Sequence, residues 1–413
     1  MKALVVATRL AGTDGVSLES DKLADALRAR GFAVVEAAGE LDGPGHLVPE
    51  MHFADPLAAA LGRRCFEGGG DDPTLEADVR ARAAEIAERL RTVFDEERPD
   101  LLVVQNAWAI PMQLPLAVAL ADLVGERNLP TLSHEHDYWW ERERFAHPKL
   151  RSLLDAVFPF HAGHVVHLAI HTGAVADLRA RRGIAARWLP NVMDFDRPFG
   201  ELDAFNADFR QAIDLADDRR LFLQPTRVVP RKGIELAIDL LHGLGDPRDA
   251  VVVTHHAGDE GLGYLRGLER RAADLGVDLR YVADRVGETR AEVATGKRYA
   301  LADAYPHADL VTYPSLYEGF GNALLEAVAA RRPVFVNRYP VYAQDIAPAG
   351  FRFVEIDGAV TDAAVADVAA LLADPERVAR DAAHNHAIAR ARFGLDTLDG
   401  VLAAALADLG MTP

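Results

Sequence analysis

The sequence predicts an α/β protein built from two doubly wound domains, each with a parallel sheet covered by helices. Short apolar strands rich in Val and Leu alternate with amphipathic helices along most of the chain. The alternation is interrupted by a turn-rich segment at residues 190–200 (PNVMDFDRPFG) and then restarts. The length of 413 residues is also sufficient for two or three domains.

The first half of the chain supplies the elements of the first domain. Its predicted strands are apolar through most of their length, which is typical of a parallel sheet with helices on both faces. These strands are residues 2–7, 32–36, 101–105, 131–133 and 165–170. The helices predicted between them are residues 18–30, 75–97, 115–124 and 173–182.

The alternation after residue 200 predicts the second domain. Its strands are residues 221–225, 251–255, 279–283, 310–313 and 334–337. Its helices are residues 234–244, 262–275, 298–305 and 322–330, and the Ala-rich tail at residues 374–409 is helical. We therefore place the first domain at residues 1–195, the second at 196–385 and a C-terminal helix at 386–413. Because open sheets bind ligands at the carboxyl ends of their strands, two facing sheets would form one deep cleft.

Composition and charge restrict the partners. Lys and Arg number 45 against 63 Asp and Glu, which gives a net charge of −18 at pH 7. A chain this acidic, without a long basic run, is a poor binder of nucleic acid or of an anionic membrane surface. The single cysteine, Cys65, excludes an internal disulfide. The apolar stretch at residues 107–121 is too short for a membrane span and the amino-terminal one stops at Arg9, so we expect a cytoplasmic protein.

The densest chemical signal follows the strand predicted at residues 310–313. The loop and helix start after it are Glu318, Gly319, Phe320, Gly321 and Asn322. Glycines allow a ligand to approach the backbone, and the N–H groups at a helix start suit an anion. Glu318, before the helix, and Glu326, in its second turn, could each bind a sugar diol on either side of a phosphate. The alternative is an ordinary helix start capped by glutamate.

A second signal lies on the loop between the strand predicted at residues 221–225 and the next helix. Arg227 and Lys232 lie on this loop, just before Gly233. Cations on a strand-to-helix loop suit a diphosphate, and Arg231 competes for that role. The alternative is a solvated basic loop.

Two segments of the first domain are also candidates. Residues 133–140 (SHEHDYWW) place histidines and aromatic rings at a strand end, which suits a carbohydrate. The alternative is a buried aromatic anchor with histidines whose hydrogen bonds are satisfied. Gly12 and Gly15 follow the first strand and would let a substrate approach the backbone. Glu36 lies where a dinucleotide fold places its ribose-binding acid, but the G-x-G-x-x-G fingerprint is absent.

Four histidines recur at short spacings, which on a helix would put them on one face. A strand predicted at residues 165–170 separates them instead, so we expect no metal site there. They are His161, His164, His167 and His171.

Together these segments resemble the retaining glycosyltransferases of family 4, which have the two-domain GT-B fold. Residues 318–326 are similar to the E-x7-E element of that family in its EGFG form, and residues 227–233 to its R-x4-KG loop. Residues 136–139 resemble its HDYW segment. Residues 190–194 resemble its PNGVD linker, with Val192 where glycine is usual. Four motifs in the family's order, over most of the chain, make the resemblance specific.

The resemblance implies transfer of a hexose, of the glucose or mannose type, from a nucleoside-diphosphate sugar with retention at the anomeric carbon. Arg227 and Lys232 would hold the donor diphosphate, Glu326 the ribose, and Glu318 and His136 the donor sugar. The catalytic residues would be His136, Arg227, Lys232 and Glu318, and the other donor-binding residues would be Gly12, Gly15, Gly319, Phe320, Gly321, Asn322 and Glu326. No metal or other cofactor is required, and the last helix would cross back to the first domain.

The expected acceptor is small, soluble and sugar-like. Arg142 and Arg144 follow His136 and would suit an anionic acceptor such as a sugar acid. Two alternatives stay open: an NAD-linked oxidoreductase and a non-catalytic GT-B protein that binds a sugar nucleotide. The motifs specify neither the nucleotide base nor the oligomeric state.

Overall fold

The computed structural model describes residues 1–12, 14–257, 261–294 and 296–411. The chain divides into two compact units. Unit 1 comprises residues 1–190 and 397–411, and unit 2 comprises residues 191–396. The sequence placed this boundary at residue 195 and the start of the terminal segment at 386, so unit 1 ends earlier and unit 2 extends further along the chain.

A parallel sheet forms the centre of unit 1, as the apolar strands predict. Its strands are β1 (Lys2–Ala7), β2 (Ala33–Ala38), β3 (His46–Leu47), β4 (Leu101–Gln105), β5 (Thr131–Glu135), β6 (Val165–Ala169) and β7 (Ala186–Trp188). They lie in the order β3-β2-β1-β4-β5-β6-β7. The register pairs Ala7 with Gln105 and Gln105 with His134, so the carboxyl ends of β1, β4 and β5 lie side by side at the same end of the sheet.

Helices cover this sheet with apolar faces. They are α1 (Gly15–Ala29), α2 (Pro56–Phe66), α3 (Leu75–Glu97), α4 (Leu114–Arg127), α5 (Arg151–Val157) and α6 (Thr172–Arg182). α3 packs on α4, and Trp108 is fully buried in the same core. The indole of Trp108 donates to the carbonyl of Ala117 at 3.0 Å, which satisfies its polar atom in the core.

Unit 2 is built on a second parallel sheet and a small additional one. Its strands are β8 (Arg220–Gln224), β9 (Asp249–Val253), β10 (Asp278–Tyr281), β11 (Val286–Gly287), β12 (Ala291–Val293), β13 (Gly296–Ala300), β14 (Leu310–Tyr313), β15 (Val334–Asn337) and β16 (Val354–Ile356). The main sheet has the order β10-β9-β8-β14-β15-β16, and the small sheet has the order β11-β13-β12. The two doubly wound α/β domains that the sequence predicts are confirmed.

The helices of unit 2 alternate with the strands of its main sheet. They are α7 (Phe209–Ala212), α8 (Ile234–Leu244), α9 (Gly263–Leu275), α10 (Asn322–Ala329), α11 (Asp362–Leu372) and α12 (Pro375–Phe393). The last helix, α13 (Leu395–Asp408), belongs to unit 1 from residue 397 onward. None of the helices in the described ranges is long and apolar enough to span a bilayer.

The helix predicted at residues 298–305 is wrong, because its first residues belong to strand β13. Lys297 and Tyr299, two residues apart on β13, both contact Asp208, Lys297 at 2.9 Å and Tyr299 at 2.8 Å. Side chains two residues apart point to the same side of a strand, so both can reach Asp208. Asp208 lies far from β13 in the sequence. The tail predicted to be helical at 374–409 consists of two helices that are separated at Gly394, where the Phe393 carbonyl accepts from the N–H of Met193.

In each parallel sheet the strand order reverses at one point, so that strands before and after it in the chain are added on opposite sides. These points lie between β1 and β4 in unit 1 and between β8 and β14 in unit 2. Doubly wound sheets bind ligands beside the carboxyl ends of the strands that flank such a point. The loops after β1, β4 and β5 and those after β8 and β14 therefore define where function is to be sought.

Candidate active site

The loop after β8 carries the cations of unit 2. Arg227 is exposed, whereas Lys232 is 8% exposed and lies immediately before α8. Gly233 has a φ of 59°, and a Cβ there would clash with the carbonyl oxygen of Pro314. Glycine is therefore required for this loop to pack against the loop after β14.

The loop after β14 also depends on a glycine. Gly321 has a φ of 129°, and a Cβ there would lie 2.8 Å from the hydroxyl of Tyr339 and 2.9 Å from that of Tyr313. The Tyr339 hydroxyl donates to the carbonyl of Phe320 at 2.6 Å. Because that carbonyl is held, the backbone turns sharply into α10, which begins at Asn322.

Asn337, at the end of β15, fixes the turn at Ser315, which lies earlier in the loop after β14. Its Nδ2 donates to the carbonyl of Ser315 at 2.9 Å, and its Oδ1 accepts from the N–H of Gly358 at 2.7 Å. The amide is only 4% exposed, so both of its hydrogen bonds are shielded from water. The residues before Glu318 are therefore held by the neighbouring strand.

Glu318 joins the two loops electrostatically. Its carboxylate accepts from the ammonium of Lys232 and, at 3.0 Å, from the guanidinium of Arg231. Burial raises the pKa of Glu318, but the charges of Lys232 and Arg231 outweigh this and hold it below its usual value. Burial lowers the pKa of Lys232, and the Glu318 charge opposes that change. The result is a charged cluster of two cations and one carboxylate, in which Lys232 and Glu318 are buried and Arg231 is partly exposed.

Glu326 lies on α10, about one helical turn after Asn322, the first residue of this helix. The hydroxyl of the buried Tyr305 donates to Glu326 Oε2 at 2.8 Å. This bond orients the carboxylate while leaving Glu326 half-buried. A carboxylate has about four acceptor sites on its two oxygens, so the Tyr305 hydrogen bond is compatible with further hydrogen bonds from a ligand diol.

His255 is a member of this region that the sequence analysis did not single out. It follows β9, the strand next to β8, and its Nδ1 lies 3.1 Å from the hydroxyl of Thr254. Burial lowers its pKa to about 4, and the charges of Lys232 and Arg227 add to that effect. The imidazole is therefore neutral at pH 7. Its position at a strand end was the signal that could have identified it.

In unit 1, buried polar atoms that have no hydrogen-bond partner among the described residues gather at the ends of β4 and β5. His134 and His136 are 2% and 9% exposed, with ring centroids 4.8 Å apart. Buried polar atoms with no hydrogen-bond partner among the described residues occur here on Gln105, His134, Glu135, His136 and Tyr138. Such groups in a native fold call for water or a ligand. Gln105, which ends an otherwise apolar strand, was not singled out from the sequence.

The protonation of these groups follows from burial. Burial lowers the pKa of His136 to about 4, and the nearby Lys22 of α1 adds to the effect. Burial also lowers the pKa of His134 and raises that of Glu135. Both imidazoles are neutral at pH 7, and a neutral imidazole offers one donor and one acceptor, which suits a hydroxyl group.

The aromatic rings after His136 are core residues and offer little stacking surface to a carbohydrate. Tyr138 and Trp139 are 0% and 3% exposed, and the indole of Trp139 donates to the carbonyl of Phe158 at 3.2 Å. Trp140 is half-buried and stacks on Tyr138 with centroids 4.8 Å apart. The aromatic half of the alternative, a buried anchor, agrees with this burial, whereas its satisfied histidines do not, because buried ring nitrogens of His134 and His136 have no hydrogen-bond partner among the described residues. Arg142 is paired with Asp137, so its charge is already balanced.

The Gly12–Gly15 segment includes Thr13, which lies outside the described residues. The N–H of Gly12 donates to Asp42 at 2.6 Å, and Gly15 begins α1, which is capped by Asp14. Gly12 lines a pocket of about 260 Å³ together with carboxylates that include Asp21 and Glu36. Burial raises the pKa of Asp21 and Glu36. Carboxylates repel a diphosphate, so a donor contact of Gly12 or Gly15 would be with neutral groups.

The four histidines at residues 161–171 make three different kinds of contact. His161 Nδ1 and His167 Nε2 lie 3.1 Å apart, His164 contacts the carbonyl of Val124, and His171 caps α6. Within the described ranges, no group of three or more His, Cys, Asp or Glu side chains is placed to hold a metal ion. Glu36 lies inside β2, which continues to Ala38, and so does not end its strand.

Comparison with known families identifies the class of protein. Residues 205–387, most of unit 2, match the family model described as "Glycosyl transferases group 1". The chain is 31% identical to a mannosylglucosylglycerate synthase from Thermotoga maritima over 97% of this chain and 99% of that protein. A mannosylglucosylglycerate synthase from Petrotoga mobilis is 29% identical over 86% of each chain. The chain therefore belongs to the group 1 glycosyltransferases.

The fold agrees with that assignment. The crystal structure of Anabaena Alr3699/HepE in complex with UDP and glucose superimposes with a TM-score of 0.68 and 17% identity, over 98% of this chain and 99% of that one. The protein is a glycosyltransferase with the two-domain α/β GT-B fold. The family membership and the two synthase relatives decide against the NAD-linked oxidoreductase and the non-catalytic sugar-nucleotide-binding protein.

Proposed function

We propose that this glycosyltransferase is a family 4 enzyme that transfers a hexose from a nucleoside-diphosphate sugar to a small sugar-like acceptor, with retention of anomeric configuration. The observation that carries the proposal is the buried ion pair of Lys232 and Glu318, which the partly exposed Arg231 joins. It joins two glycine-dependent loops at the carboxyl ends of β8 and β14. Ligands of doubly wound sheets bind at this place.

The donor is bound by groups of unit 2. Arg227 and Lys232 hold the diphosphate, and Arg231 contributes positive charge through its contact with Glu318. The N–H groups of Gly319–Asn322 and the start of α10 add partial positive charge. Glu326, oriented by Tyr305, binds the ribose, and Glu318 with the adjacent amides binds the donor sugar. The contact of His136 with the donor sugar stays a prediction of the motif resemblance.

The chemistry follows from the charge that develops on the leaving group. The bond between the anomeric carbon and the diphosphate oxygen breaks, and the acceptor hydroxyl oxygen bonds to the same carbon from the same face. The acceptor proton passes to the departing phosphate oxygen. Cations already fixed in place stabilise that oxygen without reorganising during the reaction, which is the principal catalytic contribution in such transfers.

The acceptor is inferred from the two bacterial relatives. Their names state that they synthesise mannosylglucosylglycerate. By analogy, the hexose is mannose and the acceptor is glucosylglycerate, an anionic sugar acid of the type that the sequence suggested. A requirement for neither metal nor other cofactor, and a location in the cytoplasm, stay predictions.

A matrix of donors and acceptors tests this function. GDP-mannose, UDP-glucose and ADP-glucose are each incubated with glucosylglycerate, glycerate or glucose, and the products are identified by mass spectrometry and by the anomeric coupling in NMR spectra. We expect mannosylglucosylglycerate with retained configuration. An inverted product would contradict the retaining mechanism, and absence of any transfer would contradict the function.

A further inference from the structure

Asn191 makes a contact with the candidate donor site that the function above does not use. Its Nδ2 donates to Oδ1 of Asn322, the first residue of α10, at 2.6 Å. Asn191 is 5% exposed, and its own Oδ1 is buried with no hydrogen-bond partner among the described residues. Both residues belong to unit 2. The contact therefore joins the segment after residue 190 to the helix start at the site.

This hydrogen bond determines which end of the Asn322 amide is available to a ligand. Because Oδ1 of Asn322 accepts from Asn191, its NH₂ group is turned away from that contact and can donate two hydrogen bonds. Donor groups at a helix start have the same polarity as the backbone N–H groups beside them. An amide rotated by half a turn would instead present an oxygen, which repels an anion.

The unpartnered oxygen of Asn191 supports a role beyond folding. A buried acceptor without a partner destabilises the folded state, so this amide does not optimise local stability. What it does provide is a single donor aimed at Asn322. Residues that satisfy a neighbour at the expense of their own hydrogen bonding are typical of functional sites.

We propose that Asn191 is a positioning residue that fixes Asn322 as a hydrogen-bond donor to a phosphate oxygen of the nucleoside diphosphate. The inference rests on the proposed function, because it requires that the donor diphosphate binds at the start of α10. Asn191 itself does not contact the diphosphate. Its effect on binding is therefore transmitted through Asn322.

A double-mutant cycle tests this role by calorimetric titration with UDP, GDP and ADP. We expect Asn191→Ala and Asn322→Ala each to weaken binding of the preferred nucleotide about tenfold, the loss of one hydrogen bond to a charged group. The double variant should bind no more weakly than Asn322→Ala alone. Asn191→Ser, which is too short to reach Asn322, should repeat the effect if Asn191→Ala folds poorly.

Asn385→Ala provides the matched control. Asn385 is 3% exposed in α12 and makes two hydrogen bonds with the backbone of Arg352, at 2.7 and 3.1 Å. Its loss should lower the melting temperature and leave nucleotide affinity unchanged. Wild-type affinity in the Asn191 variants, or losses that add in the double variant, would overturn the inference. Failure of the wild type to bind any of the three nucleotides would instead overturn the proposed function.

Discussion

Lys232 is a buried cation whose charge is balanced by Glu318, a carboxylate that it shares with Arg231. Removing one member of a buried ion pair leaves the other uncompensated, which usually costs more than the pair contributes. A diphosphate that binds beside this cluster brings negative charge to a place that carries an excess of cations. The cluster therefore connects stability of the loops with affinity for an anion.

Glu326 provides a prediction about nucleotide affinity at the scale of one residue. Glu326→Ala removes the carboxylate that Tyr305 orients and should raise the donor KM about tenfold or more, because a diol loses a charged acceptor. The turnover number should change less. Steady-state kinetics with varied donor concentration measures both constants.

Glu355→Ala is the control for that substitution. Glu355 accepts from the hydroxyl of Tyr342 at 2.6 Å, so it forms a similar tyrosine–glutamate pair in the same unit. Its loss should leave the donor KM unchanged. An unaltered donor KM in Glu326→Ala would exclude a ribose contact.

His167 provides a prediction about pH. Burial lowers its pKa to about 3, with smaller effects of His161 and Arg182, against about 6.5 in an unfolded chain. Between these values the unfolded chain binds a proton that the folded chain does not, so stability falls as the pH falls. His167→Gln should reduce this slope between pH 6 and 4 by about 1.4 kcal/mol per pH unit.

Urea denaturation at several pH values measures the slope. His147→Gln, which replaces an exposed imidazole of the same unit, should retain the wild-type slope. An equal slope in His167→Gln and the wild type would show that this imidazole does not resist protonation in the folded chain.

At the scale of elements, the turn into α10 depends on Gly321. An added Cβ would lie within 2.9 Å of two tyrosine hydroxyls, and alanine disfavours a φ of 129°. Gly321→Ala should lower the free energy of unfolding by about 1 to 3 kcal/mol. It should also reduce donor turnover strongly, because the displaced backbone is the one that we propose binds the donor.

Gly267→Ala tests the same change in a helix where nothing lies within 4 Å of the added Cβ. It should stabilise the protein by about 0.5 to 1 kcal/mol and leave activity unchanged. Thermal unfolding and an activity assay distinguish the two variants. A fully active Gly321→Ala enzyme would show that the turn is not part of the site.

Elements with a strong local pattern could be predicted from the sequence, and those fixed by distant contacts could not. The bounds of β1, α3, β4, α8, β14 and β15 agree with the prediction, because each has continuous apolar periodicity and a clear stop. Strand β13 was predicted as a helix because its partner, Asp208, lies far away in sequence. The short β11 and β12 and the helix α11 were not predicted at all.

The same distinction applies to the site. Lys232, Glu318 and Gly321 belong to short motifs, so the sequence alone indicated them. The sequence indicates Asn191 only as part of the linker motif at residues 190–194. Its contact with Asn322 joins residues far apart in the chain, so no local pattern predicts it. Gln105 is recognisable only once the sheet register places it beside His134. Side-chain partners of this kind require the fold to be known.

At the scale of the whole molecule, the two units share one strand order but differ in chemistry. Unit 2 carries cations and a helix start beside its point of reversal, whereas unit 1 carries neutral imidazoles and carboxylates there. Binding of a diphosphate is therefore expected beside the point of reversal in unit 2, and binding of hydroxyl groups beside that in unit 1.

Because unit 2 itself supplies positive charge, catalysis should not depend on a divalent cation. The transfer rate should remain largely unchanged in excess EDTA, measured with metal-free buffers. Complete loss of activity that Mg²⁺ restores would show that a metal ion neutralises the diphosphate instead.

The central claim is that Lys232 and its loop bind the donor diphosphate, and calorimetric titration with UDP, GDP and ADP tests it most directly. Lys297→Ala serves as the control, since Lys297 of the same unit is paired with Asp208. We predict that the wild type and Lys297→Ala bind one of these nucleotides equally well. Lys232→Ala should keep its fold and lose about 2 kcal/mol or more of binding free energy, with turnover lower by orders of magnitude. Wild-type affinity in a folded Lys232→Ala protein would contradict the account.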